Sequence, residues 1–302
     1  MIRRNYLLLV LLFVFTGTDL FSQQGLLRKI IIDPGHGGTD VGARGRYSNE
    51  KDIALSVSLK LVKALQEQMP DVEIIPTRTT DIFHSPPTKA NIANFNKGDL
   101  FVSIHCNAAP PKRQSEVVGY KTQTYYTGKG KKRKKHTRKV PQYRTWTSPN
   151  PAKGTETYIW GAHKTDDKEA AMRENESLYL DSASANYVKD FDPNSPEKMI
   201  LYSLKTQQYF GRSANLALTI EEEFVKVGRV SRQAQQREKG IWVLQAVAMP
   251  SVLIELGFIS NPEEEDYLNS ERGQQELVDS IVRALKRYKH SLGEGTSSVT
   301  AK

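Results

Sequence analysis

Four residues of this 302-residue chain have side chains that can hold a metal ion or move a proton beside one: His36, Glu50, His105 and Glu255. Three of them end short apolar runs, His36 after K-I-I-I-D-P-G, His105 after D-L-F-V-S-I and Glu255 after S-V-L-I. Open α/β sheets bind their ligands beyond the carboxyl ends of their strands, so three such endings can share one edge. Two imidazoles and a carboxylate make up the three protein ligands that a catalytic metal site typically supplies, with one position left for water. Each residue also has a plainer reading. A histidine at a strand end is often a hydrogen-bonded core or loop residue, and Glu50 can be a favourable charge in the first turn of a helix. Glu255 is harder to dismiss, because an acid inside S-V-L-I-E-L-G-F-I is costly to bury unless something pairs with it. Beside a metal-activated water it would be a general base.

The elements that must position these groups follow from periodicity. Leu26 to Ile32 reads as a strand broken by Asp33-Pro34-Gly35, with a glycine-rich loop to Gly45. From Glu50 to Met69 the apolar residues Ile53, Val57, Leu61 and Leu65 recur every four positions, as an amphipathic helix requires, and Pro70 stops it. Val72 to Ile75 is a second strand, Pro86 to Phe95 a short helix, and Asp99 to His105 a third strand apolar on both faces. Thr155 to Trp160, Gly240 to Leu244 and Ser251 to Glu255 are further strands; Asp166 to Tyr179, Lys198 to Val227 and Gly273 to His290 are further helices. The expected fold is α/β, a mostly parallel or mixed twisted sheet sandwiched between helices, with the site at the carboxyl edge of the strands.

Composition narrows the class. With 38% hydrophobic and 25% charged residues the chain can bury a real core. Residues 1–22 open with Arg3 and Arg4 before an apolar run from Tyr6 to Phe15, the pattern of a signal peptide and short of a membrane span. The expectation is an exported protein, periplasmic or in the cell envelope, soluble after cleavage. Its single cysteine, Cys106, allows no internal disulfide, and strand alternation turns it away from the side of His105. Of the formal net charge of +9, eight belong to Lys129–Lys139, leaving +1 for everything else. That cluster has no aromatic residue within it, which argues against nucleic acid as a partner.

Five segments together resemble the zinc-dependent N-acetylmuramoyl-L-alanine amidases of the amidase_3 type: I-I-I-D-P-G-H-G-G at 30–38, N-E-K at 49–51, D-L-F-V-S-I-H-C-N-A at 99–108, G-T-E-T-Y at 154–158 and M-P-S-V-L-I-E-L-G-F-I-S-N-P at 249–262. The resemblance implies one zinc ion held by His36, Glu50 and His105, with Glu255 as the catalytic acid/base. It implies peptidoglycan as the substrate and hydrolysis of the amide between N-acetylmuramic acid and L-alanine, in wall remodelling or daughter-cell separation. A zinc peptidase cutting within the stem peptide and a non-catalytic peptidoglycan-binding protein are the alternatives. Lys89 stands where the family usually has an arginine, keeping the charge but not the fork. Glu156 is either a carboxylate close to the metal or a strand-surface acid, while His84 suggests no chemistry.

The catalytic domain spans about 26–291 and carries two insertions, with a disordered tail at 292–302. The first, about 110–153, reads as largely loop; its cations Lys129 to Lys139 suit an anionic wall polymer or membrane surface, or are simply solvated. The second, about 163–212, resembles a region that in some cell-division amidases covers the zinc until an activator protein displaces it. Glu174 or Glu176 would then make the autoinhibitory contact, unless the segment is an ordinary amphipathic helix.

Overall fold

A computed structural model of the chain describes residues 27–160, 180, 196–237 and 241–297. Strands β1 (Lys29–Pro34), β2 (Glu73–Pro76) and β3 (Leu100–Asn107) alternate with helices α1 (Glu50–Gln68) and α2 (Pro86–Phe95). A ribbon of β4 (Lys112–Thr127) and β5 (Lys134–Ser148) follows, then β6 (Thr155–Trp160), α3 (Pro196–Lys226), β7 (Ser231–Arg237), α4 (Trp242–Ala246), β8 (Ser251–Phe258), α5 (Pro262–Asn269) and α6 (Glu271–Ser297). The main sheet has the order β2-β1-β3-β8-β6-β7, parallel throughout except where β6 runs antiparallel to β8. This is the mixed sheet between helical layers that the alternation of elements predicts.

Strand alternation sorts the core into two layers. Ile30, Ile32, Leu100, Val102, Ile104, Val252 and Ile254 face the layer of α1, α3 and α6, together with Leu61, Leu216, Phe224 and Ile281. Ile31, Phe101 and Leu253 face a smaller cluster with Ala90, Ala93, Val243 and Leu244 from α2 and α4. Cys106 lies in the first cluster, opposite His105 as alternation requires. The site therefore belongs to the thinner face, which among the described residues two short helices cover.

Three expectations are corrected and one strand is new. Of the strand expected over Gly240 to Leu244, Gly240 lies outside the described residues and Ile241 to Leu244 contribute no strand; Trp242–Ala246 is helical, because an apolar run this short carries no period that separates strand from buried helix. The edge position belongs instead to β7, S-R-Q-A-Q-Q-R, whose polar residues suit an outer strand and conceal it from a search for apolar alternation. Residues 110–153 are no loop: β4 and β5 form an antiparallel ribbon fifteen pairs long, invisible to burial periodicity because no residue of either strand is buried. The last helix continues to Ser297 rather than stopping near His290, with Leu292 packed partly against the core, so the expected tail is helical over 292–297. The leader at 1–22 and the expected helix at 166–179, with Glu174 and Glu176, lie outside the described residues. Of the second insertion, 196–212 forms the start of α3, which packs along β6, α6 and β7. No described helix is long and apolar enough to cross a membrane.

Candidate metal centre

His36 follows β1 with a left-handed backbone, φ 55°, and Gly37 and Gly38 continue with positive φ. A non-glycine residue in that region persists only where its surroundings hold it there. They do: Gly35 N–H donates to the Ile104 carbonyl at 2.9 Å, and Gly37 and Asp40 exchange backbone hydrogen bonds of 2.8 and 3.0 Å. His36 Nδ1 lies 2.9 Å from Asp40 Oδ2, which orients the ring and directs Nε2 to Glu50 Oε2 at 3.2 Å.

Glu50 is the first residue of α1 and is fully buried. Its Oε2 accepts from the Ala43 amide at 2.8 Å and its Oε1 from the Cys106 amide at 2.9 Å; His105 Nδ1 is 3.0 Å from Oε1. Burial pushes this carboxyl up, but the charge of His36 and hydrogen bonds from both histidines override it and hold Glu50 well below the usual carboxylate range. The two rings meet edge to face, 4.9 Å between centroids. One ligand atom from each of His36, Glu50 and His105 lies within 4.8 Å of the other two.

Two glycines make room for this packing. A Cβ on Gly35 would come within 2.6–2.8 Å of three atoms of the His105 ring, and one on Gly42 within 2.6 Å of His36 Cδ2 and Glu50 Oε2. Two imidazoles and a carboxylate in a cradle that a methyl group would fill fit a zinc ion by donor chemistry and by space.

Glu255 pairs with His105 in the parallel β3–β8 register and with Glu156 in the antiparallel β6–β8 register. The three side chains thus share one row on the thinner face, and Glu255 is fully buried. Glu156 is buried too and is no surface acid: it accepts from Asn107 Nδ2 at 2.8 Å and from the Tyr158 hydroxyl, and it pairs with Arg232. Those partners fasten it within the row beside Glu255.

Sequence reasoning missed Arg78. Buried just past β2, it donates to the carbonyls of Gly35 at 2.7 Å, Lys51 at 3.0 Å, Thr80 at 3.1 Å and Pro34 at 3.3 Å, tying the His36 loop to α1. An arginine in T-R-T-T has no local signal that separates it from a solvated loop residue. Lys89 is buried beside the same turn, 3.0 Å from Asp33 and donating to the Pro34 carbonyl at 2.8 Å. Burial would raise the Asp33 carboxyl; Lys89 and the hydroxyls of Thr77 and Ser103, at 2.6 and 2.7 Å, hold it below its ordinary value. His84 lines the same cleft as His36, His105 and Lys89.

A family model described as N-acetylmuramoyl-L-alanine amidase matches residues 30–287. The N-acetylmuramoyl-L-alanine amidase AmiC of Escherichia coli is 30% identical over 262 residues, 86% of this chain and 52% of that protein. The probable amidase AmiB of Haemophilus influenzae is 29% identical over 283 residues, 92% of this chain and 56% of that protein. The chain thus spans about half the length of these curated relatives. Among solved structures, an N-acetylmuramoyl-L-alanine amidase from Clostridium difficile superposes with a TM-score of 0.54 at 25% identity, covering 87% of this chain and 97% of that one.

Proposed function

The chain belongs to the N-acetylmuramoyl-L-alanine amidase family, and from that membership we propose that it is a zinc-dependent hydrolase of peptidoglycan, cutting the amide between the lactyl group of N-acetylmuramic acid and L-alanine. The observation that carries the reading is the pairing of His105 with Glu255 across adjacent strands, which sets an acid beside the His36, Glu50 and His105 cluster. A binding protein has no need of a ligand set and a neighbouring acid together. The signal-like segment at 1–22 supports action outside the cytoplasm, where this substrate lies.

His36, Glu50 and His105 would hold the zinc, with Asp40 fixing the His36 ring so that Nε2 serves as its ligand atom. When bound, the ion would polarise the scissile carbonyl and make a water acidic near neutral pH. Glu255 would take a proton from the attacking water on a carboxylate oxygen and return it to the departing alanine nitrogen. Glu156, held by Asn107, Tyr158 and Arg232, occupies the neighbouring position in the row.

Digestion of purified sacculi followed by mass spectrometry tests this. Wild type should release free stem peptides beginning at L-alanine, and Glu255→Ala should lower that rate by about 10²–10⁴-fold while still binding zinc. Stems shortened but still joined to muramic acid would show a peptidase instead, and no products with intact zinc binding would show a binding protein.

A further inference from the structure

We propose that the tip of the β4–β5 ribbon docks end-on against the anionic headgroup surface of a lipid membrane. Six of the seven residues from Lys129 to Lys135 are Lys or Arg, and Lys129–Lys139 contains no acid. They occupy the turn at Gly130–Lys132 and the first residues of β5, the far end of a ribbon that extends by about 50 Å at the ordinary rise per residue. Nothing on the ribbon is buried, and each strand has the other as its main neighbour. So long a two-stranded ribbon has no packing reason to hold its charge at the extremity. A charged surface met by that extremity supplies one.

The distribution of side chains favours a planar anionic surface over a polymer strand. Six cations, Lys112, Arg113, Lys121, Arg138, Lys139 and Arg144, are spread along the whole stem, and Arg144 is paired with Glu116, whereas the same number crowd into the seven residues of the tip, so the charge is densest where a surface met end-on would touch. Directly behind the tip stand Tyr125 and Tyr126, exposed on opposite faces of the strand, at the depth where interfacial aromatics sit when a cationic tip meets headgroups. Their rings are poor platforms for nucleic-acid bases, because each already carries a neighbour. The Arg133 guanidinium lies 4.0 Å from the Tyr126 centroid, and His136 stacks on Tyr125 at 5.2 Å with Arg138 at 5.6 Å. The linear cluster itself contains no tyrosine; β4 supplies these rings across the ribbon. The inference rests on the ribbon alone and is independent of the amidase reading.

Sedimentation of the full chain with vesicles tests it. Wild type should partition at low salt onto phosphatidylcholine vesicles containing about one-third phosphatidylglycerol, not onto phosphatidylcholine alone, and high salt should release it. Each Lys or Arg near such a surface strengthens partition about five-fold, so Lys131→Gln with Lys132→Gln should lose about 20-fold and neutralising all six tip cations more than 100-fold. Tyr125→Ser with Tyr126→Ser should lose only a few-fold. Unchanged circular dichroism verifies that the variants fold. Equal partition of wild type and the neutralised variants, or equal binding to neutral vesicles, would overturn the proposal. So would charge-dependent binding to soluble polyphosphate without binding to anionic vesicles, which would mark a polyanion site.

Discussion

The metal edge and the ribbon tip both concentrate charged and polar side chains, and they treat them in opposite ways. At the edge, His36, Glu50 and His105 are at most 5% exposed, and their side chains are held by one another and by Asp40, Ala43 and Cys106. At the tip, cations stand in solvent on a ribbon without a buried residue. In the first place geometry is over-determined, so small shape changes should disturb chemistry; in the second only the summed charge acts, so shape should matter little. Glycine gives the sharpest contrast. Gly35→Ala would drive a Cβ to 2.6 Å from the His105 ring, whereas Gly130 in the ribbon turn, though at φ 57°, has nothing within 4 Å of where its Cβ would lie. Gly35→Ala should weaken zinc binding by at least about 10–100-fold in calorimetric titration. Gly130→Ala should leave zinc affinity unchanged and cost about 1 kcal/mol of local strain. Equal zinc affinities for the two variants would break the comparison.

Arginines sharpen it at the next level. Removing the guanidinium of Arg78 leaves four carbonyls with fewer donors in a buried place, so Arg78→Met should lower the unfolding free energy by about 3 kcal/mol in urea titration. Arg78→Lys should recover only part of that, since one ammonium cannot reach what the fork spans. Arg133→Met at the tip should stay within about 0.5 kcal/mol of wild type. A loss below about 1 kcal/mol for Arg78→Met would mean that the His36 loop is held by its backbone bonds alone.

The difference between the regions also explains what was legible in the sequence. Strands β1, β3 and β8 declare themselves as continuous apolar runs because both their faces are buried, and helix α1 because burial of one face imposes a period; the candidate ligands stand at or near their ends, where sharp turns and helix starts are visible. Glu255 was recognisable as an acid out of place in an apolar run. Arg78 was not, because its partners are backbone carbonyls, which leave no trace in residue type. The ribbon and β7 escaped because exposed strands have no apolar alternation to find. Cross-strand pairs such as Tyr126 with Lys135 depend on a register that linear proximity hides. Polar residues between strands therefore record composition without recording geometry.

A third region lies between these extremes. Glu223 on α3 is buried, yet its partners on α3 and α6 are partly exposed: Lys226 Nζ at 2.6 Å, Arg287 at 2.7 Å and Arg283 at 2.9 Å. Burial raises its carboxyl, but the three cations outweigh this and bring it down to about 2, against 4.5 for the ordinary group. A carboxyl depressed on folding contributes stability in full above its unfolded value and loses it as pH falls through the folded one. That contribution should therefore be complete above about pH 5 and fade towards pH 2. The whole shift would be worth about 3 kcal/mol, and solvent around the cations reduces it to about 1–2 kcal/mol. Glu223→Gln should lose that amount at pH 7 and show a shallower fall in thermal midpoint between pH 5 and pH 2. Parallel curves for the two proteins would mean that solvent screens the cluster as fully as it screens the ribbon.

The smallest expected effect belongs to the largest alteration. Lys112 and Ser148 are paired at the base of the ribbon, so residues 112–148 begin and end about 5 Å apart and a short Gly-Ser link can join the flanking chain with little closure cost. If the ribbon is a charged arm rather than part of the core, deleting it should change the unfolding free energy by no more than about 0.5 kcal/mol. Zinc affinity should stay unchanged, because no ligand and no residue that orients one lies within 112–148. Partition onto anionic vesicles should disappear. A loss of several kcal/mol would show that the ribbon itself packs as structure. The Asn150 side chain donating to the Pro110 carbonyl at 2.9 Å and the Ala109 amide donating to Ser260 at 2.9 Å moor the chain on either side of it. Those bonds lie outside the deleted span, so a deletant that retains them separates the arm from its mooring.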